Sequence, residues 1–427
     1  MLNQDTYQAD YAAALPGKDL PWLAGLRRDA VDRFAAAGLP DRKVEAWRYT
    51  DLKPIREQLI VVPGARADDI PSALLPPALL PNAYRIVFTN GTLASSAPDM
   101  PSGVQLLGLA QAIADMPELL ADNLGQMAAV IDLPLPDLNQ AMSADGYVLV
   151  LDPGTILDRP IEVLFLNDQG AGYPRNLILA GENSRATVIE HYLGGAGGGG
   201  DAAYMTNAVT EIQAAAGAHV SRYKIQQEGM AAAHIATVAV QLASGARFEN
   251  FDLNLGGQLA RSELHVALQG AGAEANLNGI YLLRDKQHCD NVIHMDHVVG
   301  ATNSQQDYRG ILDDSAHGVF QGKIIVRPDA QGIEGHQLNK TLLLSDKSEI
   351  DCKPELEILA DDVKCSHGAT AGELDETGLF YLRTRGISEA EARRLLMTAF
   401  VIKTLDRIDD EGLRGIMEQL VTDWMGS

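Results

Sequence analysis

Cysteine is scarce in this 427-residue chain: there are three, Cys289, Cys352 and Cys365, far apart and without a C-x-x-C pair. That excludes a disulfide framework and points to a reducing, cytoplasmic compartment. Basic residues are also short, with 34 Lys and Arg against 57 Asp and Glu, a formal charge of −23. A protein that tracks nucleic-acid phosphates needs a basic face, so no nucleic-acid partner is expected. Histidine is missing from the first 190 residues, and all ten lie at or beyond His191. Metal or proton chemistry is therefore expected in the second half. The longest apolar run, Ala231 to Ala243, is interrupted by His234, Thr237 and Gln241 and falls short of the roughly 20 residues of a membrane span. Met1-Leu2-Asn3-Gln4-Asp5 has neither the basic nor the apolar part of a secretory leader, so a soluble protein without membrane contact is expected.

Nucleotide and hydrolase signatures are missing too. The glycine-rich run 194–200 has no Lys-Ser/Thr and no following helix, and Gly318 to Ile324 has the wrong spacing and no hydroxyl after Lys323. No nucleotide site is expected in this chain. No G-x-S-x-G occurs, which removes the nucleophile elbow. Carboxylates meeting on adjacent β-coils, as in carbohydrate-active enzymes, stay open.

What is present divides the chain in three. Residues 20–37 carry Leu23, Leu26, Ala30, Val31 and Phe34 at helical spacing, ended by Gly38-Leu39-Pro40. A second helical patch is expected from Leu106 to Met116, resuming at Leu124, with a short strand at Ala83 to Phe88 and a proline-rich connector at 71–81. This makes residues 1–145 an α-rich unit. From Tyr147 short β-type runs begin, such as Tyr147 to Leu151 and Ile161 to Leu166, and they continue to about residue 370. Gly217, Gly245 and Gly272 are 28 and 27 residues apart and each opens an alternating strand. A fixed period of that length is what stacked β-coils produce. Ser315 and Ser348 read as later corners, although the gap of 43 residues from Gly272 to Ser315 breaks the rhythm. Residues 146–378 are thus expected to form the β core and 379–427 a helical end. Ser388-Glu389-Ala390-Glu391 has the form of a capping box. Leu395, Leu396, Ala399, Phe400 and Ile402 supply an apolar face to the helix it opens, and a last helix follows Asp410.

Cys365-Ser366-His367 is the sharpest chemical feature. On a strand, residues two apart point to one face, so a thiol and an imidazole are presented together. Iron and zinc accept these donors, although a buried thiol beside a hydrogen-bonded histidine has the same pattern. His288, Cys289, His294, Asp296 and His297 form a second cluster, of which His288, His294 and Asp296 share parity. A polar outer strand face explains that cluster equally well. His317 and His336, beside glycines, read as turn residues. A cluster takes about four protein donors, and three dispersed cysteines leave any such set short.

The string from Gln331-Gly332-Ile333-Glu334-Gly335-His336-Gln337 through Leu338-Asn339-Lys340-Thr341 and Ile350-Asp351-Cys352-Lys353-Pro354 to Asp362-Val363-Lys364-Cys365-Ser366-His367-Gly368 resembles the SufB/SufD family of iron–sulfur cluster assembly proteins. The likeness continues through Leu379 to Ile387. Glu45-Ala46-Trp47-Arg48-Tyr49-Thr50-Asp51-Leu52, the modest length and the few cysteines resemble the SufD branch rather than the longer SufB. The resemblance implies a right-handed parallel β-helix flanked by N-terminal and C-terminal helical domains. It implies a non-catalytic scaffold subunit that pairs with SufB through the β-helix and with the ATPase SufC through the C-terminal helices. A homodimer is expected for the isolated chain. A transient iron–sulfur cluster, or iron, would be shared with SufB, with His367 as this chain's metal ligand and Cys365 beside it. A SufB-type main scaffold and a β-helix carbohydrate enzyme are the alternatives. Asp346, Glu349, Asp351, Glu355, Glu357, Asp361 and Asp362 are read as a solvated face or an acidic approach for ferrous iron.

Overall fold

The computed structural model describes residues 14–53, 75–96, 99–127, 133–195 and 202–426. The N-terminal part contains helix α1 (Pro21–Ala37), strands β1 (Tyr84–Thr89), β2 (Thr92–Ser95) and β3 (Val104–Gly108), then α2 (Leu109–Asp115), α3 (Pro117–Asn123) and α4 (Pro134–Met142). Strands β4 (Tyr147–Leu151), β5 (Ile161–Asn167), β6 (Ala171–Gly172) and β7 (Arg175–Ala180) lead into the long strands. These are β8 (Arg185–Gly194), β9 (Met205–Ala214), β10 (His219–Gln227), β11 (Ala233–Leu242), β12 (Arg247–Asn254), β13 (Leu259–Leu268) and β14 (Glu274–Leu283). They continue as β15 (His288–His297), β16 (Asn303–Leu312), β17 (His317–Val326), β18 (Ile333–Leu343), β19 (Glu349–Ile358) and β20 (Val363–Gly372). Helices α5 (Glu376–Thr384), α6 (Glu389–Leu405) and α7 (Glu411–Gly426) end the chain.

Successive long strands alternate between two sheets, so each turn of chain lays one strand on each. The first sheet runs β2-β1-β5-β8-β10-β12-β14-β16-β18-β20 and the second β19-β17-β15-β13-β11-β9-β7-β4-β3. The result is a parallel β-solenoid of about eight turns, as expected. Register makes interior columns: Ala186, Val220, Phe248 and Ala275 stack on consecutive strands of the first sheet, all within the main core.

The corners hold that register. Gly217, Gly245 and Gly272 each have positive φ, where a side chain would be strained. The amide of Gly217 donates to Ser244, that of Gly245 to Ala271, that of Gly272 to Ala301 and that of Ala301 to Gln331. Ala301, also at positive φ, and Gly332 therefore continue the series. The rhythm is unbroken; an alanine in a glycine conformation conceals it. Ser315 and Ser348 are corners too, but they precede β17 and β19 of the second sheet.

Charge also lies inside. Arg222 donates to Glu190 at 2.6 Å and to Asn250 at 2.8 Å, and Tyr147 and Tyr192 donate to Glu190. Burial acts to raise the Glu190 carboxyl, but Arg222 and the tyrosine hydroxyls outweigh it and hold the group below its usual range. A buried ion survives only when paired and hydrogen-bonded in this way.

Other expectations need correction. Leu106–Gly108 belongs to β3, drawn into an antiparallel pair with β4. The helix after Met116 occupies 117–123 and ends at Leu124 instead of resuming there. Residues 71–74 and 196–200 of the expected connector and glycine loop lie outside the described residues. Ser388 Oγ accepts from the Glu391 amide at 3.3 Å, but Glu391 is engaged by Arg394, so only half of the capping box forms. Helix α6 buries Ala392, Met397, Val401, Thr404 and Leu405 and leaves Leu395 exposed. Met397, Val401 and Leu405, together with Leu413, Met417 and Val421 of α7, cover Ile189, Ile225, Leu253, Leu282 and Ile311 on the outer face of the first sheet. Helix α5 was not foreseen and buries no residue. No helix among the described residues is long and apolar enough to cross a membrane.

Candidate functional site

Among the described residues, strand β20 ends the first sheet and pairs only with β18, while β19 ends the second and pairs only with β17. Each exposes a backbone edge of donors and acceptors. In register, Cys365 lies beside Gly335 and His367 beside Gln337. Both therefore continue interior columns on the last turn, the shared face expected from their spacing. Cys365 is half-buried against the main core, whereas His367, with no turn above it, is exposed. Burial pushes the Cys365 thiol above its usual value, partly offset by a backbone hydrogen bond from Gly335.

Cys352, on β19 of the same last turn, also packs against the main core. Asn339 Nδ2 donates to its sulfur at 3.3 Å, and burial raises this thiol too. Cys289 is wholly interior and pushed up to about 12 by burial. Among the described residues no three His, Cys, Asp or Glu side chains converge to hold a metal ion. Cys365 and His367 are thus two donors at an open end, and a cluster of the usual four ligands would need the rest from outside this chain.

The second sequence cluster is split by strand alternation. Cys289 and His297 are interior; His297 is bonded to Thr302 Oγ1 at 2.7 Å and Ser304 Oγ at 2.9 Å. His288, His294 and Asp296 lie on the outer face, as their parity implied. Asp296 is taken by Arg327 at 2.8 Å, and His294 stacks on His265 with ring centres 4.6 Å apart. Burial depresses His288 and His294 to about 4, so both imidazoles are neutral at neutral pH.

His317 and His336 are strand residues, contrary to the turn reading. His317 Nε2 meets Asp351 at 2.8 Å and its ring meets His288 edge-on at 4.7 Å; His336 Nδ1 meets Ser366 at 2.8 Å. The neighbouring glycines mark close packing inside the strands: a side chain on Gly318 would press on Ile350 and Leu312.

The segment around Trp47 is a clamp on the outer face of the second sheet. Arg261 lies 3.9 Å from the Trp47 ring centre and donates to the Ala46 carbonyl. Thr50 Oγ1 donates to Asp290 at 2.6 Å and meets His288 Nε2 at 2.9 Å, while Glu45 pairs with Lys353 at 2.7 Å. Three of the four acidic residues on β19 are similarly engaged: Asp351 with His317, Glu355 with Lys353, Glu357 with Lys323. This favours the solvated, ion-paired face over an iron approach. Sequence reasoning missed Arg309, Lys403 and Arg407, which line a cleft beside His367; they come from a strand, a distant helix and the turn after that helix, and share no motif.

Comparison with known proteins gives a consistent result. The profile of the SufBD core domain of the SUF iron–sulfur cluster assembly system matches residues 164–400. That of the SufBD N-terminal region matches 4–60 and 82–163. An iron–sulfur cluster assembly SufBD family protein of Synechocystis is 33% identical over 425 residues, covering 96% of this chain and 93% of that protein. The iron–sulfur cluster assembly protein SufD of Escherichia coli is 31% identical over 392 residues, 90% and 89% of the two chains. The chloroplastic protein ABCI7 of Arabidopsis thaliana is 27% identical over 427 residues, 95% and 86%.

Proposed function

This chain belongs to the SufBD family, and we propose that it is a non-catalytic, cytoplasmic SufD-like subunit that lends ligands to a nascent iron–sulfur cluster built with SufB. The observation that carries this reading is the uncapped last turn, where Cys365 and His367 stand on one face without, among the described residues, the further donors a cluster needs. A second subunit docking on the open edges of β19 and β20 would supply them. His367 is the exposed donor; Cys365 must first lose a proton that its half-buried position retains.

Contact with SufC, where ATP would be hydrolysed, is assigned to the C-terminal helices. Helix α5 supports this assignment: it buries nothing and exposes Phe380 at 71% and Tyr381 at 56%. Exposed aromatics of this kind are typical anchors of a protein interface. Removing the C-terminal helices altogether would be a poor test, because α6 and α7 cover an apolar sheet face.

The test is co-purification of the full chain with SufB and SufC, followed by iron and sulfide analysis. His367→Ala should leave the complex assembled and lower cluster yield severalfold; a normal rate of cluster formation would reject the ligand role. Phe380→Glu with Tyr381→Glu should release SufC about tenfold more readily, and unchanged retention would reject docking through α5.

A further inference from the structure

We propose that a cleft between the first sheet and the C-terminal helices binds a small multivalent anion bearing phosphate or carboxylate groups. The cleft holds about 460 Å³ and reaches the last turn beside His367. That volume lies within the range of small-molecule sites, roughly 300–1,000 Å³. Its lining includes Asp307, Arg309, His336, His367, Lys403 and Arg407. Three fixed cations therefore face one carboxylate, in a chain whose overall charge is −23.

Asp307 is already held against Arg309, with Oδ1 and Nε 3.5 Å apart. Arg309 is only 8% exposed and donates through Nη1 to the Phe400 carbonyl, while its Nε and the facing Asp307 Oδ1 are both without a hydrogen bond. Asp307 thus offsets the charge of Arg309 and leaves the other two cations of the cleft without a carboxylate. Lys403 and Arg407 have no ion pair or side-chain hydrogen bond among the described residues. His336 uses Nδ1 on Ser366 and leaves Nε2 unengaged among them. With Asp307 set against Arg309, Lys403 and Arg407 leave positive charge in the cleft that no carboxylate among the described residues pairs.

A neighbouring cleft of about 330 Å³ shares Arg407 but carries Glu249, Asp406 and Asp409. Its carboxylates repel an anion, so the ligand is confined to the end nearest His367. More than one negative group is required because Lys403 and Arg407 are separate point charges, and a ligand that meets both gains over one that meets either. The assignment is independent of the cluster role and of any partner protein.

Isothermal titration of the full chain tests it with two probes, pyrophosphate for the phosphate class and citrate for the carboxylate class. At least one should bind with one-to-one stoichiometry and weaken as salt is raised. Binding by one probe alone identifies the class. Lys403→Glu with Arg407→Glu should weaken binding by about tenfold or more, whereas Lys347→Glu, in an exposed turn away from the cleft, should not change it. Arg407→Gln, which removes one exposed charge, guards against misfolding of the double variant and should weaken binding about threefold. No saturable heat from either probe, or wild-type affinity in a folded double variant, would overturn the proposal.

Discussion

The thiols differ by depth. Cys289 sits in the main core with its pKa pushed up to about 12; Cys352 and Cys365 are half-buried on the last turn and raised less. Since only the thiolate is nucleophilic, the native protein should react slowly with a disulfide reagent at neutral pH, and faster as pH rises past the value of about 8.5 for a free thiol. Cys365 should label first, then Cys352, with Cys289 labelled only in denaturant. Mass mapping of the modified peptides checks this, and native labelling of Cys289 would contradict it. The pairing of Cys365 with His367 was legible because strand parity is a local rule. The strand positions of His317 and His336 were not, because a glycine neighbour looks the same in a turn and in a tightly packed strand. Lys403 and Arg407 meet the sheet only through the tertiary fold.

The solenoid depends on small residues placed against large ones. Gly310 pairs with Tyr281 across β16 and β14, and Gly279 pairs with Tyr308 across the same two strands. A side chain on Gly310 would enter the Tyr281 ring, and one on Gly279 would enter that of Tyr308. The rings shield the glycine backbone and fill the interior, as aromatic residues do beside strand glycines elsewhere. Gly310→Val should therefore destabilise the fold by about 1–3 kcal/mol or more, seen as a lower urea midpoint with an unchanged slope. Corner glycines announced the repeat because positive φ nearly demands them. Ala301 hid one turn of it, adopting the same conformation with a residue that gives no such sign. The apolar face of α6 was read only in part: Phe400 and Ile402 pack against the cluster, but its apolar residues nearly encircle the helix, and the sheet beneath selects Met397, Val401 and Leu405 for full burial.

The two ends of the molecule are unlike. At one, β2 and β3 pair antiparallel with β1 and β4 and terminate both sheets. At the other, β19 and β20 remain open, with Ile358 and Leu359 exposed at 40% and 52%. An uncovered edge with apolar residues invites another chain. The isolated protein is expected to self-associate there, as a pair of solenoids meeting end to end. Leu359→Lys should shift it toward monomer by about tenfold in dissociation constant, measurable by sedimentation; an unchanged equilibrium would place any self-association elsewhere. The β class and its stacked turns were legible in the chain's periodicity. The difference between its ends was not, since an edge is defined by a neighbour that sequence does not specify.

The clamp at Trp47 has a consequence in time. Glu45 is bonded to Lys353 and Thr50 to Asp290, across 308 and 240 positions of chain. The clamp segment leaves the ribosome long before its binding face exists, and its contacts close very long loops. The turns of the solenoid can stack one after another as they are made, each on the last. The clamp segment is thus among the last parts to settle, and Trp47 fluorescence should report the completion of folding instead of its onset.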